Sequence, residues 1–174
     1  MNEAPLPGRV LYLFVIVFAI ITTLTAVVRW FLIDNPGLLP PAAAHSIQSR
    51  TLTSEYRLAG FVIEMIRLEA ALYALLALYG ICDAYLRGEV FGPAVGALYR
   101  KFGMGLVMLA AVNGVYTTAL AAAFSWLSGS TVSISIGIGA SDLYLFGIGI
   151  AVLMLSLAID EAQGAAKEDE GRDV

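Results

Sequence analysis

The stretch FGMGLVMLAAVNGVYTTALAAAFSWLSGSTVSISIGIGAS, from Phe102 to Ser141, contains no charged residue over 40 positions. One helix crosses a bilayer with about 20 apolar residues, so the stretch is too long for a single span. Ser128-Gly129-Ser130 is a turn signal within it, and apolar sequence resumes after Asp142. We therefore predict a third transmembrane helix at about 102–127 and a fourth at about 138–159. Between them, the period-two alternation of Thr131–Ile138 favours a short extended strip.

The remaining sequence also has the composition of a membrane protein. Hydrophobic residues make up 59% of the 174 positions and charged residues 14%, whereas soluble domains have about 45–50% and about 25%. Two further apolar runs predict spans at about 10–33 and about 58–82. These runs are uniformly apolar rather than alternating, which favours helices. We expect an all-α integral membrane four-helix bundle at 1–159, followed by an acidic tail at 160–174.

The basic residues indicate how such a bundle is oriented. Loops on the cytoplasmic side of a membrane carry an excess of Lys and Arg. With both termini inside, the outer side holds only Arg50 and Arg57. Trp30 and Trp126 then fall at outer ends of spans, where interfacial rings are expected. We predict a multi-pass protein of the bacterial inner membrane, N-in and C-in, with these basic residues inside: Arg9, Arg87, Arg100, Lys101, Lys167 and Arg172.

A group of polar residues falls within the predicted spans, where ionisable side chains are costly and need a partner or a purpose. Its members are Arg29, Glu64, Arg67, Glu69 and the neutral Asn113. Glu64 and Arg67 are three residues apart and share a helix face, whereas Arg67 and Glu69 do not. The group predicts either a site for an ion, a proton or a polar ligand, or a structural lock between helices. The near balance of acids and bases favours the lock, in which Arg29 meets Glu64 or Glu69, and Arg67 meets Glu64.

Small residues recur at four-residue spacing on the third and fourth predicted helices. Such faces let transmembrane helices approach closely. They predict packing within the chain or, alternatively, a homodimer. The residues are Ala110, Gly114, Thr118 and Ala122 on the third helix, and Gly147 and Ala151 on the fourth.

Several kinds of site are excluded by residue counts. His45 is the only His and Cys82 the only Cys, so we expect no His- or thiolate-based metal site and no disulfide. A Ser/His/Asp nucleophile would have to use His45, which stands among Ala and Ser. The net charge of −4 argues against direct nucleic-acid binding. We predict no catalytic residues, no cofactor and no enzymatic activity.

The sequence after the second predicted span contains a motif made of these residues: Arg87, Gly88, Phe91, Pro93, Leu98, Arg100, Lys101 and Gly103. We expect the helix that starts at Pro93 to lie along the inner interface and to bend near Gly103 and Gly105. The motif resembles that of the DUF2975 family, small bacterial four-helix membrane proteins of unknown function. The resemblance implies four spans and a short polar tail, and it brings no catalytic residues. Some members are encoded beside small helix-turn-helix regulators, so it also implies a cytoplasmic regulatory protein as partner.

These patterns lead to one functional hypothesis and one alternative. The hypothesis is a non-enzymatic membrane protein that senses, scaffolds or regulates through a protein partner bound at Arg87–Lys101 and at the acidic tail. The alternative is a small dimeric ion-coupled transporter or permease that uses the charged residues of the second span.

Overall fold

The computed structural model describes residues 6–32, 53–89, 93–129 and 139–170. The predicted strip at Thr131–Ile138, His45 and Phe91 lie outside these ranges. Within them the chain is helical, which confirms the all-α class there. The helices are α1, Leu6–Phe31; α2, Ser54–Leu86; α3, Pro93–Ser128; and α4, Ala140–Glu170.

Three of these helices are long and apolar enough to cross a membrane. The qualifying segments are Arg9–Phe31, Ala94–Ser128 and Ala140–Ala165, and they contain most of the first, third and fourth predicted spans. α2 does not meet the same combined criteria of length and apolar composition. Its predicted span at 58–82 carries Glu64, Arg67 and Glu69.

Each described helix packs mainly against the next helix along the chain. The extensive interfaces join α1 to α2, α2 to α3 and α3 to α4. α1 and α4 form no such interface within the described residues, so the closed four-helix bundle stays a prediction. The two ends of this assembly are called below the Trp30 end and the Asp160 end.

α3 is one uninterrupted helix of 36 residues. Leu98 packs over Gly80 near one end of α2, and Phe124 packs against Tyr56 near the other. α2 and α3 therefore run antiparallel along nearly their whole length. Leu98 already packs against α2 before Gly103, so the α2–α3 interface includes the segment that was expected to lie along the membrane surface, and its course relative to the membrane stays a prediction.

Two glycines end helices by adopting positive φ angles. Gly88, at φ 81°, follows α2, and Gly129, at φ 67°, follows α3. The Gly88 N–H donates to Tyr85 O at 3.0 Å, and the Glu89 N–H donates to Ala84 O at 3.0 Å. This paired arrangement is a Schellman motif, which satisfies the last carbonyls of a helix. The predicted break at Ser128-Gly129 is confirmed.

The surface of the described helices is largely apolar. From Arg9 to Phe31, the apolar residues that α1 buries are Val15, Ala26 and Trp30, while Leu13 is 64% exposed. α4 likewise exposes Leu143 and Met154. Contiguous apolar surface of this extent needs an apolar environment, and lipid supplies one.

Candidate functional site

The polar side chains near the Trp30 end are organised around the carboxylate of Glu64. Glu64 lies on α2 and is only 6% exposed. Arg67 Nη1, one turn away on α2, lies 3.2 Å from Glu64 Oε1. Arg29 Nη1, in the last turn of α1, lies 3.7 Å from Glu64 Oε2. The hydroxyl of Tyr116 on α3 donates a hydrogen bond to the same Oε2, so one carboxylate joins three helices.

Tyr116 and Arg67 also interact directly. The Arg67 guanidinium carbon lies 5.3 Å from the centroid of the Tyr116 ring, a cation–π arrangement. Tyr116 was missed by sequence reasoning because it lies in the charge-free stretch from Phe102 to Ser141. A buried Tyr needs a hydrogen-bond partner for its hydroxyl. A Tyr within an apolar span was therefore the sequence feature that could have indicated this contact.

The residues Glu64, Arg29, Arg67 and Tyr116 are called below the Glu64 cluster. An aromatic core lies directly beside it. Trp30 is 1% exposed, and its ring meets that of Phe124 edge-on at 6.1 Å. A Cβ at Gly60 would overlap the Trp30 ring, so only glycine leaves room for the indole. Trp30 lies at the end of α1, as predicted, but its ring is buried between α1 and α2 instead of being exposed at the surface. Trp126, by contrast, is 83% exposed.

The close fit at Gly60 explains which carboxylate of α2 enters the core. Gly60 and Glu64 are four residues apart and share a helix face. When Trp30 packs against Gly60, Glu64 is placed against the last turn of α1, where Arg29 lies. The Trp30 Nε1 atom is buried without a hydrogen-bond partner among the described residues. This packing therefore includes one unsatisfied donor, which costs free energy of folding.

A further α2 side chain holds the end of α1. Arg57 Nη1 donates to the carbonyl oxygens of Trp30 and Phe31, each at 3.2 Å. The last carbonyls of a helix have no partner within the helix, and a cation is favourable there. Arg57 was predicted only as an outer-loop charge, so this capping role was also missed.

Glu69 and Asn113 do not join the cluster. Glu69 is exposed on α2 and forms no ion pair within the described residues. It interrupts an exposed apolar stripe that includes Ile66 and Tyr73. Asn113 is half-buried on α3, and its side chain forms no hydrogen bond in the described part of the chain.

The contacts around Glu64 favour the structural lock between helices over a ligand site. The locked cluster keeps a net charge of about +1. Two guanidinium groups share one carboxylate, and no other ionised group contacts these three within the described ranges. A cation site needs surplus acidic oxygens, and this cluster has a surplus of positive charge. In the same ranges no three His, Cys, Asp or Glu side chains come together as metal ligands.

The glycines of α3 that lie against a neighbouring helix are not those of the predicted small-residue faces. A Cβ at Gly103 would lie 2.9 Å from Gly149 O, and one at Gly105 would lie 2.9 Å from the Ala74 Cα. Around Gly114 and Gly147 such a Cβ would meet nothing within 4 Å. Ala110 is buried, Thr118 and Ala122 are half-buried, and Ala151 is exposed. The closest helix approaches of α3 are therefore those of Gly103 to α4 and of Gly105 to α2.

The residues that carry the family resemblance have structural roles near the Asp160 end. Arg87 pairs with Asp83 at 2.5 Å and with Glu89 at 3.7 Å. Arg100 forms an ion pair with Asp160 of α4, and Lys101 is exposed. The remaining described members end α2, start α3 or line helix contacts: Gly88, Pro93, Leu98 and Gly103.

α4 extends beyond α3 at the Asp160 end. A Cβ at Gly96 would overlap the Asp160 carboxylate, so Asp160 lies beside the first turn of α3. Beyond that level α3 has only three more residues, whereas α4 continues for ten, to Glu170. The sequence of that extension is acidic, with five acids and one Lys at 160–170.

Comparisons with protein-family models, with curated proteins and with solved structures found no match to this chain.

Proposed function

We propose that the chain is a bacterial inner-membrane protein with four spans and both termini in the cytoplasm. It has no enzymatic activity and senses, scaffolds or regulates through a protein partner. In this topology the Trp30 end faces outward and the Asp160 end faces the cytoplasm. Membership of DUF2975 remains part of the proposal and rests on the residues of the inner loop alone.

The observation that carries the proposal is the acidic extension of α4. Its base is held by the ion pair of Arg100 with Asp160, and the helix continues to Glu170. Residues 160–174 contain six acids and two bases, and 1–159 contains eight of each. All of the net charge of −4 therefore lies in this segment. A helical acidic segment beside a membrane is a surface for a basic cytoplasmic protein.

The second span in this proposal is α2, in spite of its charges. Intramembrane charges are tolerated when they face protein and pair with one another. Glu64 meets this condition through Arg29, Arg67 and Tyr116. The transporter alternative has less support, because Glu64 is already compensated and Glu69 and Asn113 lie apart from it.

The partner hypothesis is tested by affinity purification in mild detergent followed by mass spectrometry. Full-length protein should retain a cytoplasmic protein that a variant lacking Asp160–Val174 loses. A matched variant with Glu69→Gln, which lies outside the inner loop and the tail, keeps the extension and should retain the partner. If the same proteins co-purify with the truncated and the full-length chains, the acidic extension is not the docking surface.

A further inference from the structure

An apolar groove opens between α2 and α3 beside the Glu64 cluster. It has a volume of about 310 Å³ and is lined by Ile63 and Ile66 of α2, and by Ala111, Val112, Val115, Tyr116 and Ala119 of α3. Apart from Tyr116, these residues carry no polar side-chain atom. From Ala111 to Ala119 the groove follows eight residues of helix, or about 12 Å. That length suits part of an acyl chain.

A positive charge lies at the rim of this groove. Tyr116 is shared between the groove and the cluster, and the Arg67 guanidinium lies 5.3 Å from its ring centroid. The Arg67 side chain is 37% exposed and that of Arg29 is 28% exposed. Because both share the single carboxylate of Glu64, the cluster keeps a charge of about +1, which complements an anion.

The basic side chains of the cluster lie on the side of the groove that faces the Trp30 end. Glu64 meets Arg29, which precedes the last residue of α1 by two positions. Side chains on a helix lean toward its N-terminus, so Arg67 leans toward the Trp30 end of α2. A long basic side chain in such a position reaches the membrane interface.

We propose that this groove binds a phospholipid with a net negative headgroup. The phosphate meets the exposed side of the Arg67 guanidinium, and one acyl chain lies along the groove between α2 and α3. The proposal rests on the membrane-spanning topology and is independent of any cytoplasmic partner. A net-anionic lipid is favoured over a zwitterionic lipid because the cluster has one uncompensated positive charge.

The test is native mass spectrometry of the full-length protein, purified in mild detergent and titrated with lipids of identical acyl chains. Phosphatidylglycerol should bind more tightly than phosphatidylcholine by about fivefold, the effect of one basic residue near an anionic headgroup. Soluble glycerol phosphate supplies the headgroup chemistry without the chain. If it binds as well as phosphatidylglycerol, the ligand is a free anion and the lipid proposal is overturned.

Two kinds of variant separate the headgroup contact from the groove. Arg67→Gln should remove the preference for phosphatidylglycerol. Ala119→Leu fills the groove without changing charge and should weaken both lipids. Lys101→Gln and Glu69→Gln, which change charges outside the site, should leave binding within about twofold. Should Arg67→Gln fail to fold, the Ala119→Leu result decides, and unchanged binding in either folded variant contradicts the proposal.

Discussion

At the scale of single residues, Glu64 stands out because it is the charged residue that is buried in the described part of the chain. It is buried, and its two oxygens are divided between Arg67 on one side and Arg29 and Tyr116 on the other. Burial of an unpaired charge is costly, so the carboxylate and its cations depend on one another. Because its contacts come from α1, α2 and α3, Glu64 holds these three helices together near the Trp30 end.

Glu64→Gln should destabilise the protein, because both guanidinium groups would lose their anionic partner. Breaking a fully buried pair costs about 3–5 kcal/mol, and the partial exposure of both arginines lowers the expected loss to about 1–3 kcal/mol. Thermal unfolding in detergent, followed by circular dichroism, measures the change. Glu69→Gln is the matched control and should shift the midpoint little; equal shifts in both variants would contradict the assignment.

At the scale of helices, interhelical distance is set by a few glycines. Gly103 of α3 faces the backbone of Gly149 on α4, and Gly105 faces Ala74 on α2. Close backbone approach is a recurring way of packing helices in membranes, where the hydrophobic effect does not drive association. Gly147 lies on α4 as well but has open space around it.

Gly103→Ala should weaken the α3–α4 interface, since the new methyl group would lie 2.9 Å from both Gly149 O and Leu153 Cγ. Overpacking of this kind costs about 1–3 kcal/mol. Gly147→Ala introduces the same methyl group into open space and should be neutral or stabilising by about 0.5–1 kcal/mol. The unfolding midpoint should therefore fall for Gly103→Ala and should stay the same or rise for Gly147→Ala, and an equal decrease in both variants would place the close approach elsewhere.

At the scale of the whole molecule, the described helices form a series in which each contacts its neighbour along the chain. The outer faces of α1 and α4 remain apolar and exposed, as expected for surfaces that lipid covers. The polar features lie near the two ends: the Glu64 cluster at the Trp30 end, and the Arg100–Asp160 pair with the α4 extension at the other.

The proposed topology predicts the side of the membrane on which each connection lies. A reporter that is active only outside the cytoplasm should be inactive when fused after Val174. The same reporter inserted after Gly129, at the end of α3, should be active. Activity at Val174 would overturn the C-in assignment, and activity at neither or both positions would overturn a crossing by α4.

The helices themselves were predictable, because their signals are local. The length of the apolar runs, Pro93 at the start of α3 and the Ser128-Gly129 break each depend on neighbouring residues only. Gly88 was a recognisable helix stop as well. The packing of the first turns of α3 against α2 was not predictable, because it depends on the contact between Leu98 and Gly80, which lie on different helices.

The sequence by itself determined an all-helical, highly apolar chain, a set of charges within its helices and an acidic segment after Ile159. Only the tertiary structure decided which charges meet. Glu64 and Glu69 are five residues apart and point about 140° away from each other around α2, so one alone can enter the interface. The fit of Trp30 against Gly60 selects Glu64, because side-chain volume between helices fixes their rotation, and no local pattern in the sequence records that fit.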